Sequence, residues 1–147
     1  DAGLRRLTQR ALSRRGFEVE TADSADAGLA MLANGGFDLV AVDHTMPGKD
    51  GLAMLREIVK QPDHPPVVFV TGTDEPQVAV KALTSGATDF VTKTVGNEFF
   101  DLLAGRLTQA LARVSLERAK AAAEAELREA NERLELLVRE VHHRVAN

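Results

Sequence analysis

Asp43 closes the run Asp38-Leu39-Val40-Ala41-Val42-Asp43 and is followed by His44-Thr45-Met46-Pro47-Gly48-Lys49-Asp50-Gly51 before an amphipathic helical pattern begins. An aspartate at the carboxyl end of a buried parallel strand lies in the crevice where open α/β sheets bind ligands, and is placed to act as a nucleophile. Asp, Pro and Gly also make ordinary turns, so Asp43 by itself does not choose between the two roles. Two further strand ends add weight. Thr71 closes Pro66-Val67-Val68-Phe69-Val70-Thr71, and Lys93 closes Asp89-Phe90-Val91-Thr92-Lys93. At one edge of a parallel sheet a carboxylate, a hydroxyl and an ammonium group converge. That set suits phosphoryl transfer to Asp43: the carboxylate attacks in line, Lys93 neutralises an equatorial phosphoryl oxygen, and Thr71 donates a hydrogen bond to another. Gly72 leaves room beside Thr71 for the phosphoryl group.

Alternating strands and helices must hold these ends in place. Leu4, Leu7, Ala11 and Leu12 share one helical face, and Gly16 stops that helix. Residues 17–22 alternate with period two, as a strand with one exposed face does. Asp23 or Ser24 caps a helix running to about Asn34, and Gly35-Gly36 end it. Residues 37–43 form the next strand, apolar enough to be buried on both faces. A helix from Asp50 to about Lys60 turns Leu52, Leu55, Ile58 and Val59 inward. The strand 66–71, a helix from Glu75 to Ser85 closed by Gly86, the strand 89–93 and a final helix capped by Asn97 complete the pattern. Strands separated by helices of this length imply right-handed crossovers and a parallel sheet.

Composition agrees with a small α/β domain carrying an appendage. The chain has 147 residues, 44% hydrophobic and 27% charged, enough apolar surface for a core. A net charge of −4 argues against nucleic acid as the main partner. With no cysteine, disulfides, thiolate metal sites and cysteine nucleophiles are excluded. Neither a membrane-spanning apolar run nor a signal-peptide pattern is present, so the reading is cytoplasmic, with no membrane partner. Residues 1–111 hold 15 acids and 11 bases, whereas residues 112–147 hold seven of each. All five prolines precede residue 77 and the last glycine is Gly105. The boundary between two regions therefore falls near residue 112.

Residues 1–111 resemble the receiver domain of bacterial two-component response regulators. The carriers are Asp43 with Met46-Pro47-Gly48-Lys49-Asp50-Gly51, then Thr71-Gly72, then Ser85-Gly86-Ala87-Thr88-Asp89-Phe90 leading to Lys93. The resemblance implies a flavodoxin-like doubly wound parallel sheet of strand order 2-1-3-4-5. It also implies that Asp43 is the phosphoacceptor, that Thr71 and Phe90 form a switch pair, that Lys93 contacts the phosphoryl group, and that Mg²⁺ is required. Receivers open with a strand ending in an acidic pair that holds Mg²⁺, and Asp1-Ala2-Gly3-Leu4-Arg5-Arg6 matches the residues just past that pair. Strand 1 is thus missing here, and upstream residues are expected to exist. The expected metal ligands are Asp43 and the backbone carbonyl of Thr45, with the remaining acids upstream of Asp1 unless Asp1 substitutes. Without its central strand the sheet has a gap between residues 17–22 and 37–43, exposing apolar faces and unpaired backbone. A strand swapped in from a neighbouring chain is the alternative. Thr94 stands where receivers usually have proline after the lysine, which loosens the loop that positions Lys93.

The remaining residues read as a long helix. Leu116, Ala123, Ala130 and Leu137 recur every seven residues, and Lys120, Leu127, Leu134 and Val141 fill the second seam of a heptad. Glu124–Arg128, Glu129–Arg133, Glu135–Arg139 and Glu140–Arg144 place each acid four residues before its base, worth roughly 0.3 kcal/mol per pair. A helix this long and apolar along one stripe calls for a partner, and a parallel homodimeric coiled coil over 112–138 is the simplest. Val138 and Val145 widen the stripe toward the end, which fits a helical bundle better than a two-stranded coil. Residues 139–147 resemble the start of the phosphoacceptor region of sensor histidine kinases with a His-Arg-Val-x-Asn motif. That match implies that His143 is autophosphorylated, oriented by Glu140, with Arg144 meeting the acidic surroundings of a phosphodonor. Two solvated imidazoles at a helix end are the plain alternative, and adjacent helical residues point about 100° apart, which disfavours metal binding by His142 and His143.

Together these features read as a fragment of a hybrid two-component signalling protein. Its receiver accepts a phosphoryl group on Asp43 from a histidine kinase or a histidine phosphotransfer protein and passes its state through the coiled coil to a kinase module. ATP would enter only through a catalytic domain of which these residues carry no sign, so the fragment is not expected to phosphorylate His143 by itself. The competing reading is a response-regulator interaction module that only dimerises or docks a partner. A third is a receiver that never takes phosphate.

Overall fold

A computed structural model describes residues 2–146. Its first compact unit ends at Leu111 and its second begins at Ala112. In the first unit, helices α1 (Ala2–Arg14) and α2 (Ala25–Ala33) precede strand β1 (Val40–Asp43). Helix α3 (Gly51–Val59), strand β2 (Val67–Thr71), helix α4 (Pro76–Thr84) and strand β3 (Asp89–Thr92) follow, and helix α5 runs Asn97–Ala146. The three strands form one parallel sheet in the order β1-β2-β3. Val42 pairs with Phe69, and Phe69 pairs with Phe90, so all three strands end near one edge.

Alternation along β2 builds two cores. Val68 and Val70 point to the side covered by Leu12 of α1 and by Phe99, Phe100, Leu103 and Leu107 of α5. Val67 and Phe69 point to the side covered by Leu52, Leu55 and Ile58 of α3 and Val78 and Ala82 of α4. All five residues of β2 are buried, as expected for the central strand of a parallel sheet.

The strand expected at residues 17–22 is not formed. Phe17 and Val19 still pack on the α1/α5 core, and the Gln9 amide donates to the Val19 carbonyl at 2.9 Å, but the segment has no ladder. The reason lies in backbone pairing: among the described residues no strand lies on the free edge of β1, and an extended segment without a neighbour gains no ladder hydrogen bonds. A cavity of about 330 Å³, lined among others by Val19, Thr21, Leu39, Ala41 and Leu103, occupies the expected gap. Of the order 2-1-3-4-5, the part present is the run 3-4-5. Asp1, the alternative metal ligand, and Asn147, the asparagine of the second motif, lie outside the described residues.

Caps set where the helices begin. Ser24 Oγ accepts from Ala27 N–H at 3.1 Å, and Asp50 Oδ1 accepts from Ala53 N–H at 2.9 Å. Asp50 thereby starts α3 immediately after the loop that leaves Asp43. Asp50→Ala is expected to cost about 1 kcal/mol, the usual value of a lost N-cap, read as a lower midpoint in urea with an unchanged slope.

The second unit is helical and exposed throughout its described residues, apart from the half-exposed Val114 and Ala125. Leu116, Leu127, Leu134, Leu137 and Val141 are between 58% and 72% exposed, so the heptad stripe is open to a partner. Glu129–Arg133 at 3.7 Å and Glu140–Arg144 at 2.7 Å form as expected. Glu124 pairs with Lys120 at 4.0 Å instead of with Arg128, and no Glu135–Arg139 pair occurs among the described residues.

Candidate functional site

Asp43 is the last residue of β1, and Lys93 follows β3 directly. The Lys93 backbone N–H donates to the Thr71 carbonyl at 2.8 Å, which continues the β2–β3 ladder one step and aims the side chain back across the edge. Lys93 Nζ reaches Asp43 Oδ2 at 2.6 Å. The other carboxylate oxygen, Oδ1, accepts from Thr45 N–H at 3.2 Å. Asp43 and Lys93 are each about one-third exposed, at 35% and 33%, so an incoming group can reach them. A short charge-assisted contact of this kind fixes both partners in a water-accessible crevice.

The loop after Asp43 is held close. His44 N–H donates to Val70 O and Gly51 N–H donates to His44 O, each at 3.0 Å. A Cβ on Gly51 would lie 2.5 Å from the Asp43 carbonyl oxygen and 2.7 Å from His44 Cα. Only glycine therefore fits where α3 starts against the end of β1. The His44 ring packs on Phe69 with centroids 5.9 Å apart, and its Nδ1 is buried without a hydrogen-bond partner.

Thr71 is the third residue of the expected set, and it stands apart from the other two. The residue is 2% exposed, and no hydrogen bond joins its hydroxyl to Asp43 or Lys93 among the described residues. Together with Phe90, Pro76, Val80 and Leu83 it lines a second cavity of about 190 Å³ between β2, β3 and α4. Thr71 and Phe90 thus border one space. A Cβ on Gly72 would lie 3.0 Å from Asp74 Oδ1 and 3.6 Å from Glu75 Oε2, so the space beside this glycine is taken up by the two acids that precede α4.

Among the described residues no group of three or more His, Asp or Glu side chains could hold a metal ion. The Asp43 carboxylate and the Thr45 carbonyl are the hard oxygen donors that Mg²⁺ prefers, and that ion commonly completes its shell with water and phosphate oxygens. His143 sits on the exposed last turns of α5 with Glu140 and Arg144 paired beside it at 2.7 Å.

Residues 1–103 match the family model described as response regulator receiver domain. The chain belongs to this family. As a receiver domain it takes part in two-component signalling, and its family implies a histidine kinase as phosphodonor. Receiver domains generally bind Mg²⁺. The receiver is 39% identical over 93 residues to the C4-dicarboxylate transport transcriptional regulatory protein DctD of Rhizobium meliloti, covering 63% of this chain and 20% of DctD. It is 37% identical over 92 residues to the response regulator PleD of Caulobacter vibrioides, covering 61% and 20%. The chain thus spans about a fifth of the length of these relatives. Among solved structures, the receiver domain of NtrX from Brucella abortus superposes with a TM-score of 0.67 at 37% identity, covering 76% of this chain and 92% of that one. The signal receiver domain of a signal transduction histidine kinase from Syntrophus aciditrophicus gives 0.68 at 28% identity, covering 78% and 86%.

The α/β architecture was legible from alternation and turn residues alone. Three tertiary contacts were not. Arg15 pairs with Asp101 through Nε at 2.9 Å and Nη2 at 2.7 Å, Arg106 pairs with Asp89 at 3.1 Å, and His44 packs on Phe69 with its ring tilted by 45°. The two ion pairs join residues 86 and 17 positions apart, and no periodicity signals a pair at such a distance.

Proposed function

We propose that Asp43 is the phosphoacceptor of this receiver. The observation that carries the reading is the 2.6 Å contact of Lys93 Nζ with Asp43 Oδ2 at the carboxyl edge of the sheet, in a chain of this family. A carboxylate oxygen of Asp43 attacks phosphorus in a phosphohistidine of a kinase or a histidine phosphotransfer protein. The P–N bond breaks, the imidazole leaves with a proton, and an acyl phosphate forms on Asp43. Lys93 shifts from the carboxylate to a phosphoryl oxygen and neutralises it. Thr71 leaves its buried position to donate to another oxygen, and Phe90 moves into the space vacated beside it. Mg²⁺ held by the Asp43 carboxylate and the Thr45 carbonyl supplies charge neutralisation when bound.

The open stripe on the second unit supports a homodimer through residues 112–138. A receiver joined to a dimeric helix ending in the His143 motif supports a cytoplasmic hybrid, in which Asp43 controls a histidine kinase module whose phosphoacceptor is His143. That module would use ATP in a separate catalytic domain. A second reading, a response regulator that dimerises or docks a partner without histidine chemistry, is favoured by the likeness to DctD and PleD, a transcriptional regulatory protein and a response regulator. Two experiments test these readings. Incubation of protein that includes the residues upstream of Asp1 with acetyl phosphate and Mg²⁺ should label one residue, mapped to Asp43 by peptide mass, and absence of label sinks the phosphoacceptor reading. In the full-length protein supplied with ATP, His143→Ala but not His142→Ala should remove histidine phosphorylation; unchanged labelling in His143→Ala leaves only the docking module.

A further inference from the structure

The apolar stripe of the second unit changes its spacing near its end. Leu116, Ala123, Ala130 and Leu137 stand seven residues apart, and the next member of that row is Arg144. Arginine does not suit a closed seam, and this side chain is 77% exposed and bound to Glu140 at 2.7 Å. Val138 and Val145, each one residue past the row, supply aliphatic groups in its place. From Leu134 onward the stripe therefore consists of Leu134, Leu137, Val138, Val141 and Val145, the spacing of an eleven-residue repeat. Within 134–145 Leu136 is the one aliphatic residue outside it.

Helix geometry gives the change a physical meaning. On a straight helix a row of side chains seven apart slips back by about 20° per repeat, so paired helices wind left-handed to keep it in the seam. From Leu116 to Leu137 the slip adds up to about 60°. One residue further on, a side chain lies about 100° ahead, so Val138 and Val145 return the stripe to the face on which it began. Four residues added to a seven-residue repeat unwind the pair locally.

A second copy of this chain is the occupant that fits the stripe. Lys120 is the single charged residue at the inner positions between Leu116 and Leu134, and one lysine at such a position fixes register and oligomer state at some cost in stability. In a parallel pair of equal register the residues flanking the seam meet as Ala119 with Glu124, Glu126 with Asn131 and Arg133 with Val138, so no like charges oppose each other. Leu127, Leu134, Leu137 and Val138, which the copy would cover, are between 47% and 62% exposed.

We propose that two copies of this helix pair in parallel through two successive repeats, of seven residues from Leu116 to Leu134 and of eleven from Leu134 to Val145, and that the change of repeat turns His143 directly away from the partner helix. This rests on the second unit being a homodimer. On the eleven-residue repeat each residue advances about 98°, which puts His143 about 180° from the middle of the seam. An uninterrupted seven-residue repeat would hold it about 50° nearer the partner and would force Arg144 into the seam. Outward placement presents the imidazole to an approaching domain, and Arg144 keeps its contact with Glu140.

Because the chain has no cysteine, single cysteines introduced along the helix report the seam directly. Leu127→Cys, Leu134→Cys, Leu137→Cys, Val138→Cys, Arg144→Cys and Val145→Cys are each oxidised in dilute solution, and the disulfide-linked dimer is followed with time. All but Arg144→Cys should link readily. Arg144→Cys should link at least about ten-fold more slowly than Val145→Cys, since cysteines whose Cα atoms lie more than about 7 Å apart are not bridged without backbone movement. Arg144→Cys linking as fast as Val145→Cys, or Val138→Cys lagging Leu137→Cys by a similar factor, overturns the change of repeat and leaves the homodimer standing. Absence of linkage at Leu127→Cys or Leu134→Cys overturns the parallel homodimer, and the inference with it.

Discussion

Asp43→Asn is expected to abolish phosphoryl uptake from acetyl phosphate while leaving the fold in place. The substitution conserves shape and removes only the nucleophilic oxygen. The amide oxygen can still accept from Lys93 or from Thr45 N–H, but it cannot form an acyl phosphate. Stability should change little, since Asp43 and Lys93 are 35% and 33% exposed and such a pair contributes about 0–1 kcal/mol after screening. For a domain of this kind that corresponds to a Tm shift of no more than about 4–8 °C. Mass spectrometry after incubation with acetyl phosphate checks the first part and thermal unfolding the second. Retained label in Asp43→Asn would move the acceptor elsewhere. A collapse of Tm would mean that Asp43 is a structural strand cap whose loss of phosphate uptake is secondary.

How far the sequence alone reached is best seen in β2 and in residues 17–22. Val67 to Thr71 is a continuous β-branched and aromatic run, and the strand it forms is buried at every position, because local propensity and tertiary burial agree. Residues 17–22 carry an equally clear alternation, and their side chains do alternate between half-buried and exposed from Phe17 to Glu20. Yet the segment is no strand, since a strand is a pairing and alternation reports only the faces. The same limit applies at the site. Chain order placed Asp43, Thr71 and Lys93 on one sheet edge, and side-chain direction decided which of them meet. Lys93 has a long stem that reaches 2.6 Å from Asp43, whereas the short Thr71 side chain stays buried beside the cavity it shares with Phe90. Arg106 was invisible to this reading because its partner Asp89 sits on another element and its charge fits any exposed helix face.

Gly51 shows the sharpest dependence of the site on backbone geometry. Its φ is not positive, so alanine would be conformationally acceptable and, as a better helix former, locally favourable. The obstacle is space. An added Cβ would lie 2.5 Å from Asp43 O, 2.7 Å from His44 Cα and 3.0 Å from Asp43 C, all of them backbone atoms that no rotamer change can move. Those atoms are held by His44 N–H to Val70 O and by Gly51 N–H to His44 O, so relief requires the end of β1 and the start of α3 to part. We expect Gly51→Ala to destabilise the unit by roughly 1–3 kcal/mol, the range for forced overpacking, despite alanine's helical advantage. Phosphoryl uptake should fall about 100-fold, because a displacement of about 1 Å at a reacting group costs that much. Gly105→Ala is the matched control: its Cβ would meet nothing within 4 Å in the third turn of α5, and it should stabilise by about 0.5–1 kcal/mol without slowing uptake. If Gly51→Ala instead behaves like Gly105→Ala in both urea unfolding and labelling rate, the close approach of α3 to β1 does not position Asp43.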